Sequence, residues 1–152
     1  MAENIRENEQ RDFRQQRHES RTGQTWAAFL DDLCRQTNAD REKAEKAASS
    51  ILCALEQRIQ ANEAKDLNAQ LPQKLRELLV RCERHQGDKP RRFNRDEFLK
   101  MVCDDLGVDS NEAERLTRGV FKTVRGHVSE GEAEQVGANL PPDLRDLWAR
   151  EV

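Results

Sequence analysis

Two glutamates at matching places of a repeated phrase are the first residues that could carry chemistry. Glu63 begins EAKDLNAQLPQKLREL and Glu132 begins EAEQVGANLPPDLRDL, 69 positions further along a chain of 152 residues. Two carboxyl groups held close together can act as general acid and base, as in glycoside hydrolysis. Only the fold can bring these two together, so their spacing alone establishes no active site. Each could instead serve the first turn of a helix, where an acid suits capping and the helix dipole.

Histidines and cysteines offer a second kind of chemistry, the binding of a metal. The chain has three histidines and four cysteines, and the cysteines form no CxxC pair and no zinc-finger pattern. Cys82 and His85 are three residues apart, but a zinc site needs three or four ligands. The sequence also has no glycine-rich phosphate loop and no nucleophile motif. We therefore expect no metal, no cofactor and no catalytic residue.

A basic stretch, RCERHQGDKPRRFNR, is the third candidate. It holds six basic and two acidic groups, whereas the whole chain has a net charge of −3. Gly87 and Pro90 interrupt helices, so a solvated connector is the simplest interpretation. Because arginine suits carboxylates and phosphates, the stretch could also dock an acidic partner or a phosphate backbone. The candidate partner-binding residues are Arg81, Arg84, Lys89, Arg91, Arg92 and Arg95.

An internal repeat with a period of 69 residues determines where these candidates lie in the predicted fold. Residues 29–79 align with 98–148 without a gap, and fourteen of the 51 aligned pairs are identical. A gapless match of this length indicates an internal duplication. Because apolar residues recur at steps of three and four, each copy is predicted to form four helices. In the retained LP pair, Pro72 and Pro141 are predicted to end the third helix and begin the fourth.

Capping residues mark the starts of several predicted helices. Short polar side chains stand just before an apolar periodic run, and some are followed three residues later by glutamate. The predicted N-caps and capping boxes are Asp40, Asp109, Asn94 with Glu97, and Ser129 with Glu132. The retained Arg76 and Arg145 are expected to bind the last carbonyls of the preceding helix or to pair with the repeated glutamates.

The repeat predicts an all-α fold of two tandem four-helix repeats that share one core and are related by a pseudo-twofold axis. A helical unit of about 50 residues buries too little apolar surface to be stable alone, so each copy supplies half of the core. The expected organisation is a charged tail over 1–24, repeat 1 over 25–84, the basic connector over 85–93 and repeat 2 over 94–152.

Cysteines and glycines inside the predicted helices are expected to serve packing. Reduced thiols act as small apolar residues in a chain without a secretion signal. Cys34 and Cys103 occupy equivalent places on the inner faces of the two first helices, so both are expected to be buried. Cys53 falls outside the apolar stripe of its helix and is expected to react sooner. The glycines expected to permit close helix contacts, or to reflect drift, are Gly119, Gly126 and Gly137.

The repeated corner EAxx[LV]xAxLPxxLRxL follows FL and a long helix rich in alanine and leucine. In this order it resembles a bacterial family known as domain of unknown function 2267, over about residues 29–148. Members look like two tandem helical copies of this kind, so the resemblance implies the same fold. It implies no activity and no binding residues. The connector departs from the pattern, since LLVRCERHQGDKPRRFNR stands where the family would have an aromatic-rich stretch.

Composition narrows the function classes. No apolar stretch approaches the ~20 residues of a membrane span, and the N-terminus has no apolar signal-peptide core, so we expect a cytoplasmic protein with no membrane partner. Net acidity argues against nucleic acid. Because packing and capping account for the repeated residues, the favoured function is a non-enzymatic protein-interaction or scaffold module with a protein partner. The alternatives are nucleic-acid binding through the connector and an enzyme whose site is assembled between the repeats.

Overall fold

The computed structural model describes residues 25–59, 61–80 and 93–149, and these ranges are all helical, with no strand. The first four helices are α1 (Trp26–Thr37), α2 (Arg41–Arg58), α3 (Ala61–Ala69) and α4 (Gln73–Val80). The next four are α5 (Arg95–Leu106), α6 (Ser110–His127), α7 (Glu130–Asn139) and α8 (Pro142–Trp148). The predicted all-α class is therefore confirmed. No helix within these ranges is long and apolar enough to cross a membrane.

The helices begin at the predicted capping residues. Asp40 and Asp109 each accept a hydrogen bond of 2.8 Å from the backbone amide three residues later. Asn94 accepts a hydrogen bond of 2.9 Å from the amide of Glu97, and its own amide donates to a Glu97 carboxylate oxygen at 3.4 Å. Each such cap satisfies an amide that has no partner inside its helix. Capping chemistry in the sequence therefore sets where α2, α5 and α6 start.

The two longest helices, α2 and α6, form the centre of the molecule. α2 packs against α1, α4, α5 and α6, while α6 packs against α1, α2, α5 and α8. Buried side chains from both halves of the described chain form one hydrophobic cluster. Because burying a large apolar side chain contributes roughly 1.5–3 kcal/mol, this cluster holds the two halves together. Its large, fully buried members include Phe29, Leu33, Ile51, Leu52, Phe98, Leu116 and Phe121.

Close approach of α1 to α6 depends on Gly119. A Cβ atom at this position would lie 2.8 Å from the backbone oxygen of Gln36 and 3.0 Å from a methyl carbon of Thr37. A Cβ at Gly137 would meet the indole ring of the buried α8 tryptophan at 3.1 Å, whereas one at Gly126 would meet nothing within 4 Å. The expected role in close helix contact therefore holds for Gly119 and Gly137, while Gly126 has open space.

The cysteines depart from the expectations in two ways. Cys53 is fully buried and disulfide-bonded, so the predictions that it is reduced and that it is the readily reactive thiol are both wrong. Four helices surround α2, which buries side chains on more than one of its faces. Cys34 and Cys103 are free thiols as expected, but both are half-buried rather than fully buried.

Candidate functional site

A basic cleft, here called the α6 cleft, runs along one face of α6. Its volume is about 590 Å³, and residues of α1, α6 and the end of α8 form its walls. Basic side chains line it at steps of three and four residues, and two glycines on the same face leave it open. Residues at this spacing lie on one side of a helix, so their charges act together. The four basic residues are Arg115, Arg118, Lys122 and Arg125.

Two of the cleft arginines also hold the ends of neighbouring helices. Arg115 donates a hydrogen bond to the backbone oxygen of Thr37 at the end of α1. Arg125 donates to the backbone oxygen of Trp148 at the end of α8. Carbonyl groups at a helix C-terminus have no partner inside the helix and attract cations. These two arginines therefore fix the walls of the cleft while they contribute to its charge.

Carboxylates at the rim of the α6 cleft form ion pairs with its third arginine, Arg118. Arg118 lies 2.9 Å from the Asp146 carboxylate and 3.5 Å from that of Glu114. Arg95 also binds both acids, at 2.8 Å to Asp146. Hydrogen bonds from Arg95 and then from Arg118 hold the pKa of Asp146 below its usual range. The rim is therefore a network of alternating charges, and part of the positive charge of the cleft is already balanced there.

Lys122 differs from the other three cations of the cleft. It is exposed, and among the described residues it takes part in no hydrogen bond or ion pair. The acidic residue that lines the cleft, Asp32, is occupied: it accepts from Arg35 at 3.2 Å and lies 3.0 Å from the His127 ring. Lys122 is therefore available to an anion that enters the cleft.

A second cleft, here called the acidic cleft, has the opposite charge. Its volume is about 610 Å³, and residues of α2, α4 and α5 line it. Three acids and one base are among its lining residues, namely Glu42, Glu45, Asp105 and Lys46. Ser50 donates a hydrogen bond of 2.6 Å to Asp105 there. The described residues therefore form a basic concave surface and an acidic one of opposite charge.

The two repeated glutamates meet where α3 packs against α7. Glu63 is 8% exposed and Glu132 is 6% exposed, and their carboxyl groups are within hydrogen-bonding reach of each other. Burial, then contact with Glu63 and then the charge of Asp66 raise the pKa of Glu132 to about 7. In each side chain the Oε1 atom is buried without a donor from the described residues. Two carboxylates this close repel each other unless they share a proton.

A half-formed capping box leaves the Glu132 carboxyl free to face Glu63. The Ser129 side chain caps α7 by accepting from the amide of Glu132 at 3.2 Å. The reciprocal bond is made by another residue, because the Ser129 amide donates to the Gln70 side chain at 2.7 Å. The prediction that the Glu132 side chain completes this box is therefore wrong. Gln70, at the end of α3, does so instead.

The retained arginine of the second half has the predicted structural role. Arg145 donates to the backbone oxygens of Gly137 at 3.0 Å and Ala138 at 3.3 Å, which belong to the last turn of α7. The Trp148 indole donates to the oxygen of Ala133 at 2.9 Å. These bonds fasten α8 against α7 and so connect the helix that carries Glu132 to one end of the α6 cleft.

The six predicted partner-binding residues are divided by the limits of the described ranges. Arg81, Arg84, Lys89, Arg91 and Arg92 lie outside the described residues. Arg95 is the first residue of α5, and its guanidinium pairs with acids of α6 and α8. Its backbone amide also donates to Asp143 at 2.9 Å. In the structure, Arg95 therefore fastens α5 to α6 and α8.

The glutamate pair faces neither of these clefts. Glu63 and Glu132 are absent from the lining of both. More than nine-tenths of each side chain is buried, so a substrate has no access to the carboxyls in this conformation. Within the part of the chain that the structure describes, no group of three or more His, Cys, Asp and Glu residues is arranged to hold a metal ion. The pair is thus a feature of the α3–α7 interface.

Comparison with known families identifies the domain. A family model described as an uncharacterized conserved protein (DUF2267) matches residues 26–147, from the first residue of α1 into α8. The chain belongs to the DUF2267 family. This confirms the family resemblance carried by the repeated corner. No curated protein matches the chain. The acidic cleft and the glutamate pair lie within the DUF2267 match, and of the residues that line the α6 cleft only Ala149 lies beyond it.

The α6 cleft is the surface that sequence reasoning missed. Charge summed over segments shows an acidic second half and a basic connector, which hides a basic face on a single helix. The signal is present in RLTRGVFKTVR, where a basic residue recurs at every third or fourth position from Arg115 to Arg125. Counting charges at helical spacing, instead of over whole segments, therefore reveals the basic face of α6.

Proposed function

We propose that this DUF2267 protein is a non-enzymatic interaction module that binds an acidic segment of a partner protein in the α6 cleft. The observation that carries the proposal is the lining of the cleft, four cations on one helix face with Lys122 exposed among them. Lysine and arginine attract carboxylates, and complementary charge speeds and orients docking. The volume of about 590 Å³ falls in the ordinary range of ligand clefts, roughly 300–1,000 Å³.

We further infer that the eight helices are two tandem four-helix repeats related by a pseudo-twofold axis. Helices α1 to α4 begin 69 residues before α5 to α8, respectively. Asn38 and Gly107, also 69 apart, end α1 and α5 in the left-handed conformation with φ of 49° and 64°. The packing is reciprocal, since α1 packs on α6 as α5 packs on α2. Such an axis passes through the α2–α6 and α3–α7 contacts.

Under this relation the two clefts occupy equivalent surfaces with different charges. The positions equivalent to Arg115, Arg118, Lys122 and Arg125 are Lys46, Ser49, Cys53 and Glu56. Packing explains the residues that the copies retain, because those form the core and the helix caps. It does not explain a basic face in one copy only. Selection for binding is expected at such a difference.

A protein partner suits the α6 cleft better than a nucleic acid does. The chain has a net charge of −3, and Asp32, Glu114 and Asp146 stand in or beside the cleft. A phosphate backbone calls for a continuous basic surface, which these acids interrupt. An acidic peptide needs only a few well-placed cations. An enzyme site between the repeats is less favoured, because the glutamate pair is buried.

The proposal is tested by measuring how a labelled peptide rich in glutamate and aspartate binds the protein at low salt. Fluorescence anisotropy of the label reports the binding. Lys122→Glu reverses the exposed charge without removing a contact that α1 or α8 needs. We expect it to weaken binding by about tenfold or more, which corresponds to about 1.4 kcal/mol. Lys100→Glu is the matched control, because Lys100 is exposed on α5 and does not line the cleft. Equal effects of the two variants, or no effect of either, contradict the proposal.

The same assay separates the alternatives. A labelled oligonucleotide that binds more tightly than the acidic peptide would favour the hypothesis that the protein binds nucleic acid. Arg91→Glu combined with Arg92→Glu tests the connector. If this double variant loses the peptide while Lys122→Glu retains it, the connector is the docking strip and the α6 cleft is not.

A further inference from the structure

Two acidic side chains buried against each other are uncommon at a contact between two helices. α3 makes its most extensive helix contact with α7, and Glu63 and Glu132 lie within it. More than nine-tenths of each side chain is buried, and the Oε1 atom of each has no donor from the described residues. Burying an ionised carboxyl without a partner is strongly unfavourable. One proton between the two groups removes one charge and supplies the hydrogen bond that joins them.

We propose that Glu63 and Glu132 form a proton-dependent clamp between α3 and α7. The clamp is closed while the two carboxyls share one proton, and both side chains then stay buried. When that proton is lost, two adjacent negative charges repel each other at the helix contact, and α7 moves away from α3. This device is independent of what binds in the α6 cleft.

Among the described residues, no cation is one of the charges that act on Glu132. The charges that act on Glu132 are those of Glu63 and Asp66, both on α3, and both oppose its ionisation. α8 also packs against α7, but its charged groups are engaged elsewhere: Arg145 with backbone oxygens of α7, and Asp143 and Asp146 with Arg95. Burial and the neighbouring negative charges therefore both raise the pKa of Glu132, so the pair keeps its proton near neutral pH.

Trp148 is a built-in reporter of the clamp. Its indole donates to the backbone oxygen of Ala133, the residue next to Glu132, and the side chain is 4% exposed. Its ring packs edge-on against Phe121 with centroids 5.2 Å apart. Movement of α7 breaks the indole hydrogen bond and admits water to the ring, which shifts its fluorescence to longer wavelength. The other tryptophan, Trp26, is replaced by phenylalanine to isolate this signal.

The test is a fluorescence titration of the Trp26→Phe protein from about pH 5 to about pH 9. We expect one transition with a midpoint near pH 7, in which emission moves to longer wavelength as pH rises. Glu132→Gln and Glu63→Gln are each expected to abolish it, since an amide donates to the remaining carboxylate and does not titrate. The matched control is Glu134→Gln, an exposed acid two residues along α7, which keeps the transition.

The outcomes are distinct. His127 is present in all variants, so a transition that survives in both glutamine variants belongs to another group and overturns the clamp. A Trp26→Phe protein that shows neither a fluorescence transition nor a change of amide exchange with pH also overturns it. If fluorescence is insensitive, hydrogen exchange decides: amides of α3 and α7 must exchange faster at about pH 8.5 than at about pH 5.5, after correction for the intrinsic rate. Equal protection at both pH values contradicts the proposal.

Discussion

The contact between α1 and α6 can be tested with two alanine substitutions in the same helix. Gly119 lies in the middle of α6 and Gly126 in its last turn, so alanine improves the helix propensity of each by up to about 1 kcal/mol. Their surroundings differ. The new Cβ at Gly119 would lie 2.8 Å from the backbone oxygen of Gln36, while the one at Gly126 would have nothing within 4 Å.

The magnitude follows from these distances. Gly126→Ala keeps the whole propensity gain and is expected to stabilise the protein by roughly 0.5–1 kcal/mol. Gly119→Ala must push a helix backbone aside, because the obstructing atom is a main-chain oxygen that cannot rotate away. Overpacking of this kind costs roughly 1–3 kcal/mol, so after the propensity gain the net change runs from about zero to a loss of about 2 kcal/mol. Because alanine brings a similar propensity gain at both positions, the two variants should differ by the overpacking cost, roughly 1–3 kcal/mol.

Thermal and urea unfolding followed by circular dichroism measure the difference. For a chain of this size, 1–3 kcal/mol corresponds to a difference in Tm of roughly 2–12 °C, with Gly126→Ala the more stable. An unchanged urea m-value would show that both variants unfold from the same compact state. If Gly119→Ala is as stable as Gly126→Ala, the close packing of α1 on α6 is refuted.

Three further predictions concern caps, protons and thiols. Asn94→Ala removes the side-chain half of the capping box of α5 and is expected to cost about 1 kcal/mol in urea unfolding; no loss would mean that the bonds to Glu97 do not stabilise the helix. Because the pKa of Glu132 is raised from 4.5 to about 7, the folded protein holds a proton that the unfolded chain releases in this window. The free energy of unfolding therefore falls as pH rises from about 4.5 to about 7, by up to the order of 3 kcal/mol. Glu132→Gln, which lacks this proton, is the control; a free energy of unfolding that rises with pH in the wild type relative to this variant would contradict the burial of the pair. In the folded protein a thiol reagent is expected to label the half-buried free thiols Cys34 and Cys103 and to spare the buried, disulfide-bonded Cys53, as read by peptide mass spectrometry; labelling of Cys53 first would contradict its disulfide bond and its burial.

Much of the fold could be predicted because local chemistry specifies it. Asp40, Asn94 and Asp109 are short polar residues before apolar periodic runs, and each caps a helix as expected. Apolar residues at helical spacing identified the inner faces, where Phe29 and Phe98 are buried. These signals depend only on neighbours within a few positions, which is why sequence alone reveals them.

Features that depend on packing between distant helices were not predictable in the same way. Cys53 is buried because other helices cover a second face of α2, and an apolar stripe describes one face only. The period of 69 residues makes Glu63 and Glu132 equivalent, but equivalence gives no distance between them. They meet because α3 packs on α7, and because Gln70 takes the capping bond that Glu132 was expected to make.

Binding of an acidic protein segment in the α6 cleft can be observed residue by residue in an NMR titration. An unlabelled peptide rich in glutamate and aspartate is added at low salt to ¹⁵N-labelled protein with assigned amide signals. We expect the largest shifts along the lining of the cleft, at Gln36, Gly119, Lys122 and Gly126. Largest shifts at Ser49 in the acidic cleft, or in the connector, or no saturable shifts at all, would contradict it.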